Sequence, residues 1–205
     1  LFFYSISVIS MAKALTLAFV APLITTALSP IFLGEKVGFR RWSAVIVGFI
    51  GSLIVIRPGF IDFNLATIAA LGTGFFYGVY LIITRKLHSS DNPLLTLLLT
   101  GVVGAVVGSF LVPVVWINPT FNQWSLLALM GCFACLGHFF LILSLKYAEA
   151  SKLASFGYFE IVTNVFLGYY FFTDFPDQWT WLGLVIIVFS GIYISIREQN
   201  RIGII

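Results

Sequence analysis

Eight apolar stretches follow one another along the chain, at residues 1–10, 14–33, 42–56, 65–84, 94–116, 124–145, 153–173 and 179–196. A helix needs about 20 apolar residues to cross a hydrocarbon core about 30 Å thick, and shorter runs are tolerated at some mismatch. Strands of a membrane barrel alternate in polarity over about ten residues, so runs of this kind exclude them. Charge argues the same way. Only 9 % of the 205 residues are charged, against roughly 25 % in a soluble domain, which is too little to cover a water-exposed surface. The expectation is an all-α integral membrane protein of eight transmembrane segments, here lettered a to h. Pro22 and Pro30 fall inside segment b, where packed transmembrane helices tolerate them. Segment c is short, but Arg41 and Arg57 bracket it with side chains long enough to reach the interface. Segment a opens at Leu1 inside an apolar run, with no initiator Met, basic n-region or cleavage site. It reads as the tail of a spanning helix whose beginning is missing.

The loops alternate in charge. One side receives Lys36, Arg40, Arg41, Arg85, Lys86, Lys146, Lys152, Arg197 and Arg201, and the other only Lys13 and Arg57. Positive residues in short loops stay in the cytoplasm, so the first side and the C-terminus are expected there. Shifting the sequence by 139 positions lays Glu35 on Asp174, Trp42 on Trp181 and Lys13 on Lys152. In each copy an apolar helix ends in one acidic residue, a short loop follows, and a Trp opens the next helix. The shift spans an odd number of crossings, so the copies are inverted in the membrane. With a five-helix unit, residues 1–60 are the last three helices of a first repeat and residues 61–205 a complete second one. Ten helices are then expected in all, two of them upstream of Leu1. Inverted repeats around a midplane site belong to secondary transporters.

The stretch from Ala14 through Pro22, Pro30, Leu33-Gly34-Glu35, Trp42, Gly48, Gly51 and Arg57-Pro58 resembles the EamA-like group of the drug/metabolite transporter superfamily. The resemblance implies ten helices in two five-helix repeats and a transport function. Members move amino acids, nucleotide-like metabolites, vitamins and drugs, so no cargo is implied. The second copy departs from the pattern: Thr173-Asp174 replaces Gly34-Glu35, and Tyr169 stands where Pro30 would.

Ionisable residues within the hydrocarbon are costly and point to function. His138 in segment f and Glu160 in segment g stand out. Each lies eleven positions from Glu149, hence about 16 Å from the hairpin turn at 1.5 Å per residue. A pair at mid-depth would serve as a polar centre for substrate or a coupling proton, or as a structural lock on the hairpin. Tyr158 and Asn164 share that half of segment g, Asn164 one turn beyond Glu160. Aromatic residues, among them Phe3 and Tyr4, Tyr77 and Tyr80, Phe139 and Tyr158, are candidates to line a cavity for a flat or amphipathic substrate. Trp42, Trp116, Trp124, Trp179 and Trp181 sit at segment ends as interface anchors.

Gly74-xxx-Gly78 and Gly104-xxx-Gly108 are faces that permit close helix approach. Pro22 is expected to act as a hinge and Pro30 as a terminal break. Glu35 is expected to hold the b–c loop as a salt bridge or helix cap, and Asp174 its counterpart on the other side. Cys132 and Cys135, on an apolar helix with no second pair, read as packing. No P-loop, zinc signature, nucleophile elbow or dinucleotide fingerprint occurs, so no cofactor, metal or catalytic residue is expected. Energy for transport would come from an ion gradient, proton or sodium, or from substrate exchange. The expected partners are the lipid bilayer and a small-molecule substrate, not nucleic acid; the oligomeric state is left open. The expectation is a secondary transporter of a small polar or amphipathic metabolite in a bacterial cytoplasmic membrane. An integral-membrane enzyme or scaffold is the other reading; an enzyme would need several clustered polar groups where one pair is found.

Overall fold

A computed structural model describes residues 1–9, 11–57, 64–87, 92–114, 116–172 and 176–202. The described residues are helical apart from turns and short links, with no strand among them. Ten α-helices follow in order: α1 Phe2–Val8, α2 Met11–Ala18, α3 Ala21–Leu33, α4 Phe39–Ile56, α5 Leu65–Leu87, α6 Pro93–Leu111, α7 Phe121–Tyr147, α8 Ala150–Phe156, α9 Phe159–Phe172 and α10 Gln178–Ile202. Five spans among the described residues are long and apolar enough to cross a membrane: Lys13–Leu33, Phe39–Ile56, Leu65–Leu87, Pro93–Phe110 and Phe121–Tyr147. The apolar part of α10 is shorter, Gln178–Tyr193.

Local chemistry sets the helix ends. Asn92 accepts from the Leu94 amide at 3.0 Å and places Pro93 in the first turn of α6, where a missing N–H costs nothing. Thr120 and Gln123 form a reciprocal capping box that starts α7 three residues earlier than its apolar run. Gly34 ends α3 in the left-handed region at φ +67°. Pro30 therefore does not terminate this helix. The Thr26 carbonyl, deprived of a proline N–H, accepts instead from the Ser29 hydroxyl at 3.1 Å, and the helix runs on to Leu33.

Segments b and g are each broken rather than continuous. Segment b divides into α2 and α3 at Phe19-Val20, just before Pro22 in the first turn of α3. Segment g divides into α8 and α9 at Gly157-Tyr158, where no proline announces it. A shift of 139 positions carries one break onto the other: Phe19 falls on Tyr158, and α3 onto residues 160–172 of α9.

The chain forms two compact units, residues 1–83 with 149–205 and residues 84–148. In the first unit the core is Phe19, Val45, Tyr158, Ile161, Leu184 and Ile187. It lies where the two breaks meet α4 and α10, and Phe19 with Tyr158 and Val45 with Leu184 are pairs under the same shift. Helices α4 and α10 run antiparallel. Ser190 donates to the Ala44 carbonyl at 2.7 Å, Gly183 lies against Gly51, and Arg57 pairs with Asp177 at 2.7 Å. A Cβ on Gly183 would stand 2.8 Å from the Gly51 carbonyl oxygen and 2.6 Å from Val55, so the approach depends on glycine.

In the second unit α6 packs on α7. Arg85 donates to the carbonyls of Leu145 and Lys146, at 3.0 Å for the latter, closing the C-terminal end of α7.

Candidate transport site

Two interrupted helices leave backbone groups without their helical partners, and a membrane protein places such backbone inside protein or along a cavity. In the first unit the two breaks touch. The Phe19 and Tyr158 rings pack with centroids 6.1 Å apart. Tyr158 is 0 % exposed, its ring lying over Gly48, where a Cβ would come within 2.6 Å of it. Its hydroxyl is buried with no hydrogen-bond partner among the described residues. Helix α5 crosses the first break through Gly74 and Gly78: a Cβ on Gly74 would meet the Ala18 carbonyl oxygen at 2.5 Å, and one on Gly78 the Ala21 carbonyl oxygen at 3.0 Å. The glycine face expected at Gly74-xxx-Gly78 is thus in use. At Gly104 and Gly108 nothing among the described residues lies within 4 Å of an added Cβ.

Helix α5 also carries Tyr77 and Tyr80, stacked at 6.0 Å and 20°. The Glu160 carboxylate is an electrostatic neighbour of Tyr77. Glu160 stands exposed in the first turn of α9, two residues beyond Tyr158, and Asn164 follows one turn later, also exposed. Tyr158 and Glu160 therefore stand at the second break, with Tyr77 within electrostatic reach of Glu160. Tyr4 is exposed on α1. His138 is exposed on α7 and belongs to the other compact unit. Asp174 lies outside the described residues.

Of the two roles expected for Glu35, a salt bridge or a helix cap, the structure has the cap, and the helix is α8: the Glu35 carboxylate accepts from the Ala150 amide at 2.8 Å, the Ser151 amide at 2.9 Å and the Ser151 hydroxyl at 2.5 Å. The loop is braced by Arg41, 6 % exposed, which donates to the Lys36 carbonyl at 3.1 Å and the Ser151 hydroxyl at 3.0 Å. Arg41 also pairs with Glu149 at 2.6 Å.

Residues 1–57 and 64–196 match the EamA-like transporter family. The chain belongs to the EamA-like transporter family. Among EamA-like relatives, the S-adenosylmethionine uptake transporter of Rickettsia bellii is 29 % identical over 197 residues, 96 % of this chain and 68 % of the relative. The riboflavin transporter of Vibrio cholerae is 32 % identical over 190 residues, covering 92 % of this chain and 64 % of its own length. The pseudopaline exporter CntI of Pseudomonas aeruginosa is 26 % identical over 204 residues, 97 % of this chain and 71 % of the exporter. A crystal structure 17 % identical in sequence shares the fold, with a TM-score of 0.79 over 98 % of this chain and 72 % of the other. This EamA-like chain is thus a multi-pass membrane protein of a transporter family.

Proposed function

We propose that this EamA-like chain is a secondary active transporter of a small polar or amphipathic metabolite across a bacterial cytoplasmic membrane, working by alternating access around the junction of its two broken helices. The observation that carries the reading is the meeting of two helix breaks at positions equivalent under one shift of the sequence. Paired interruptions in the two halves are the mark of a transporter's binding site. The antiparallel α4–α10 contact, between helices equivalent under that shift, supports a pair of inverted repeats, residues 1–60 and 61–205 of a ten-helix bundle. Eight crossings follow if α1, α8–α9 and α10 span along with the five long apolar runs. The alternation of basic loops supports a cytoplasmic C-terminus. S-adenosylmethionine, riboflavin and pseudopaline, in the relatives' names, are small polar metabolites, and cargo of that class fits a junction built of tyrosines beside one carboxylate.

In this reading Tyr158, Tyr77, Tyr80, Tyr4 and Asn164 contact substrate and Glu160 carries the coupling proton or faces a sodium ion, with His138 a separate candidate for coupling. Proteoliposomes holding riboflavin or S-adenosylmethionine test it. Counterflow of labelled substrate is expected for wild type and for Glu160→Gln, since exchange needs no net proton release. Accumulation driven by an imposed proton gradient is expected for wild type and not for Glu160→Gln, whereas His138→Gln is expected to stay coupled. Binding of either metabolite without any movement across the bilayer would favour a non-transporting scaffold. Wild-type accumulation by Glu160→Gln would leave Glu160 a packing residue.

A further inference from the structure

Helices α3 and α8 pack antiparallel. At one end Glu35, two residues past α3, caps the start of α8; at the other Pro22 approaches Gly157, 3.4 Å from a Cβ placed there. Buried hydroxyls populate both helices. Thr25, Thr26, Ser29, Ser151 and Ser155 are all at most 1 % exposed. Thr25 and Ser29 turn their hydroxyls back onto carbonyls of their own helix, and Ser151 gives its own to Glu35. The hydroxyls of Thr26 and Ser155 do neither. Like that of Tyr158 just past the end of α8, they are buried with no hydrogen-bond partner among the described residues. An interface that never opens would lose nothing by carrying alanine and phenylalanine at these positions, because an unpaired buried hydroxyl is a standing penalty. An interface that is dry in one state and wetted in another needs small polar groups.

We propose that the α3–α8 seam is the path along which a polar, hydrogen-bonding metabolite moves between the central junction and the Glu35 face. The Glu35–Ser151 and Arg41–Glu149 contacts are the latch that holds it shut in this conformation. The proposal rests on the transport reading above and adds its route. Opening the latch frees the Ala150 and Ser151 amides and gives Thr26, Ser155 and Tyr158 partners in water or substrate. Hydroxyls offer both donors and acceptors and no net charge, so the path suits neutral or zwitterionic cargo dense in hydroxyl, amide or amine groups.

Thiol accessibility in membrane vesicles tests the route. In a Cys132→Ala, Cys135→Ala background, Ser155→Cys and Thr26→Cys are treated with a charged, membrane-impermeant methanethiosulfonate, each with and without Glu35→Gln. Labelling is expected to rise about tenfold or more with Glu35→Gln, the scale on which losing a charge-assisted contact moves a two-state equilibrium. Ser190→Cys, buried in the α4–α10 contact, is expected to stay unlabelled throughout. Ser151→Ala, which removes a partner of Glu35 and leaves the charge in place, gives the same readout if Glu35→Gln fails to fold. Unchanged labelling at both seam positions, or an equal rise at Ser190→Cys, would overturn the path. Counterflow of riboflavin and S-adenosylmethionine in the same vesicles reports on transport separately. Movement with an unresponsive seam sinks the path alone, whereas a responsive seam without movement sinks the transport reading and leaves the latch standing.

Discussion

Asp177 stands immediately before α10 and accepts from both the amide and the hydroxyl of Thr180, at 2.9 and 2.7 Å. Across from it Arg57 ends α4 at φ +43°, a left-handed conformation that a non-glycine residue holds only when its surroundings repay the strain. The ion pair to Asp177 is one such repayment. The Thr180 hydrogen bonds first, and then Arg57, hold the Asp177 carboxyl well below the usual carboxylate range, at about 2. A depressed folded-state pKa means that the stabilisation is complete above the unfolded value, near 3.8, and is lost as pH falls toward 2. Wild type should therefore melt at a higher temperature than Asp177→Asn at about pH 6, and the gap should close at about pH 2. A gap that persisted in acid would show that something other than the carboxylate's charge supports this end of α10.

Among the helices, glycine decides which faces touch. Gly183→Ala places a methyl against the Gly51 carbonyl and Val55 and is expected to destabilise by about 1–3 kcal/mol, the usual cost of overpacking. Gly104→Ala meets open space and should be neutral or gain up to about 1 kcal/mol from helix propensity. Thermal unfolding in detergent separates the two, and equal losses would mean that Gly104 packs on something as closely as Gly183 does. Sequence reading goes a long way with these elements, because an apolar run and its caps are local. Asn92-Pro93 and Thr120-x-x-Gln123 mark their helix starts plainly, and one shift of the chain brings Phe19 onto Tyr158. What it does not reach is the partner of Glu35. Ser151 is 116 positions away, and an acid beside a basic loop looks like a local brace until the fold places α8 against it. The break at Gly157-Tyr158 escapes as well, since a glycine inside an apolar run usually passes as packing. The candidate site is legible in part: Glu160 and the tyrosines stand out as costly or amphipathic residues, but that Tyr77 comes within electrostatic reach of Glu160 is a matter of tertiary placement.

For the whole molecule, the orientation of the two halves is the property most open to test. Single cysteines at Lys36 and Asp177 should react with an impermeant reagent from opposite faces of the membrane, Lys36 from the cytoplasm; labelling of both from one side would remove the inverted arrangement. The long reach of the core contacts has a bearing on biogenesis. Arg41 and Glu35 enter the bilayer region early, yet Ser151 and Glu149 leave the ribosome more than a hundred residues later, and Ser190, which closes α4 against α10, later still. At about 5–20 residues per second, synthesis leaves the first helices waiting several seconds or more for the groups that satisfy them. The nascent chain must therefore be sheltered through that interval by the insertion machinery or by lipid headgroups around Arg41. A ribosome that stops before α10 releases a chain whose central contacts have no second half, a substrate for membrane proteolysis and not for folding.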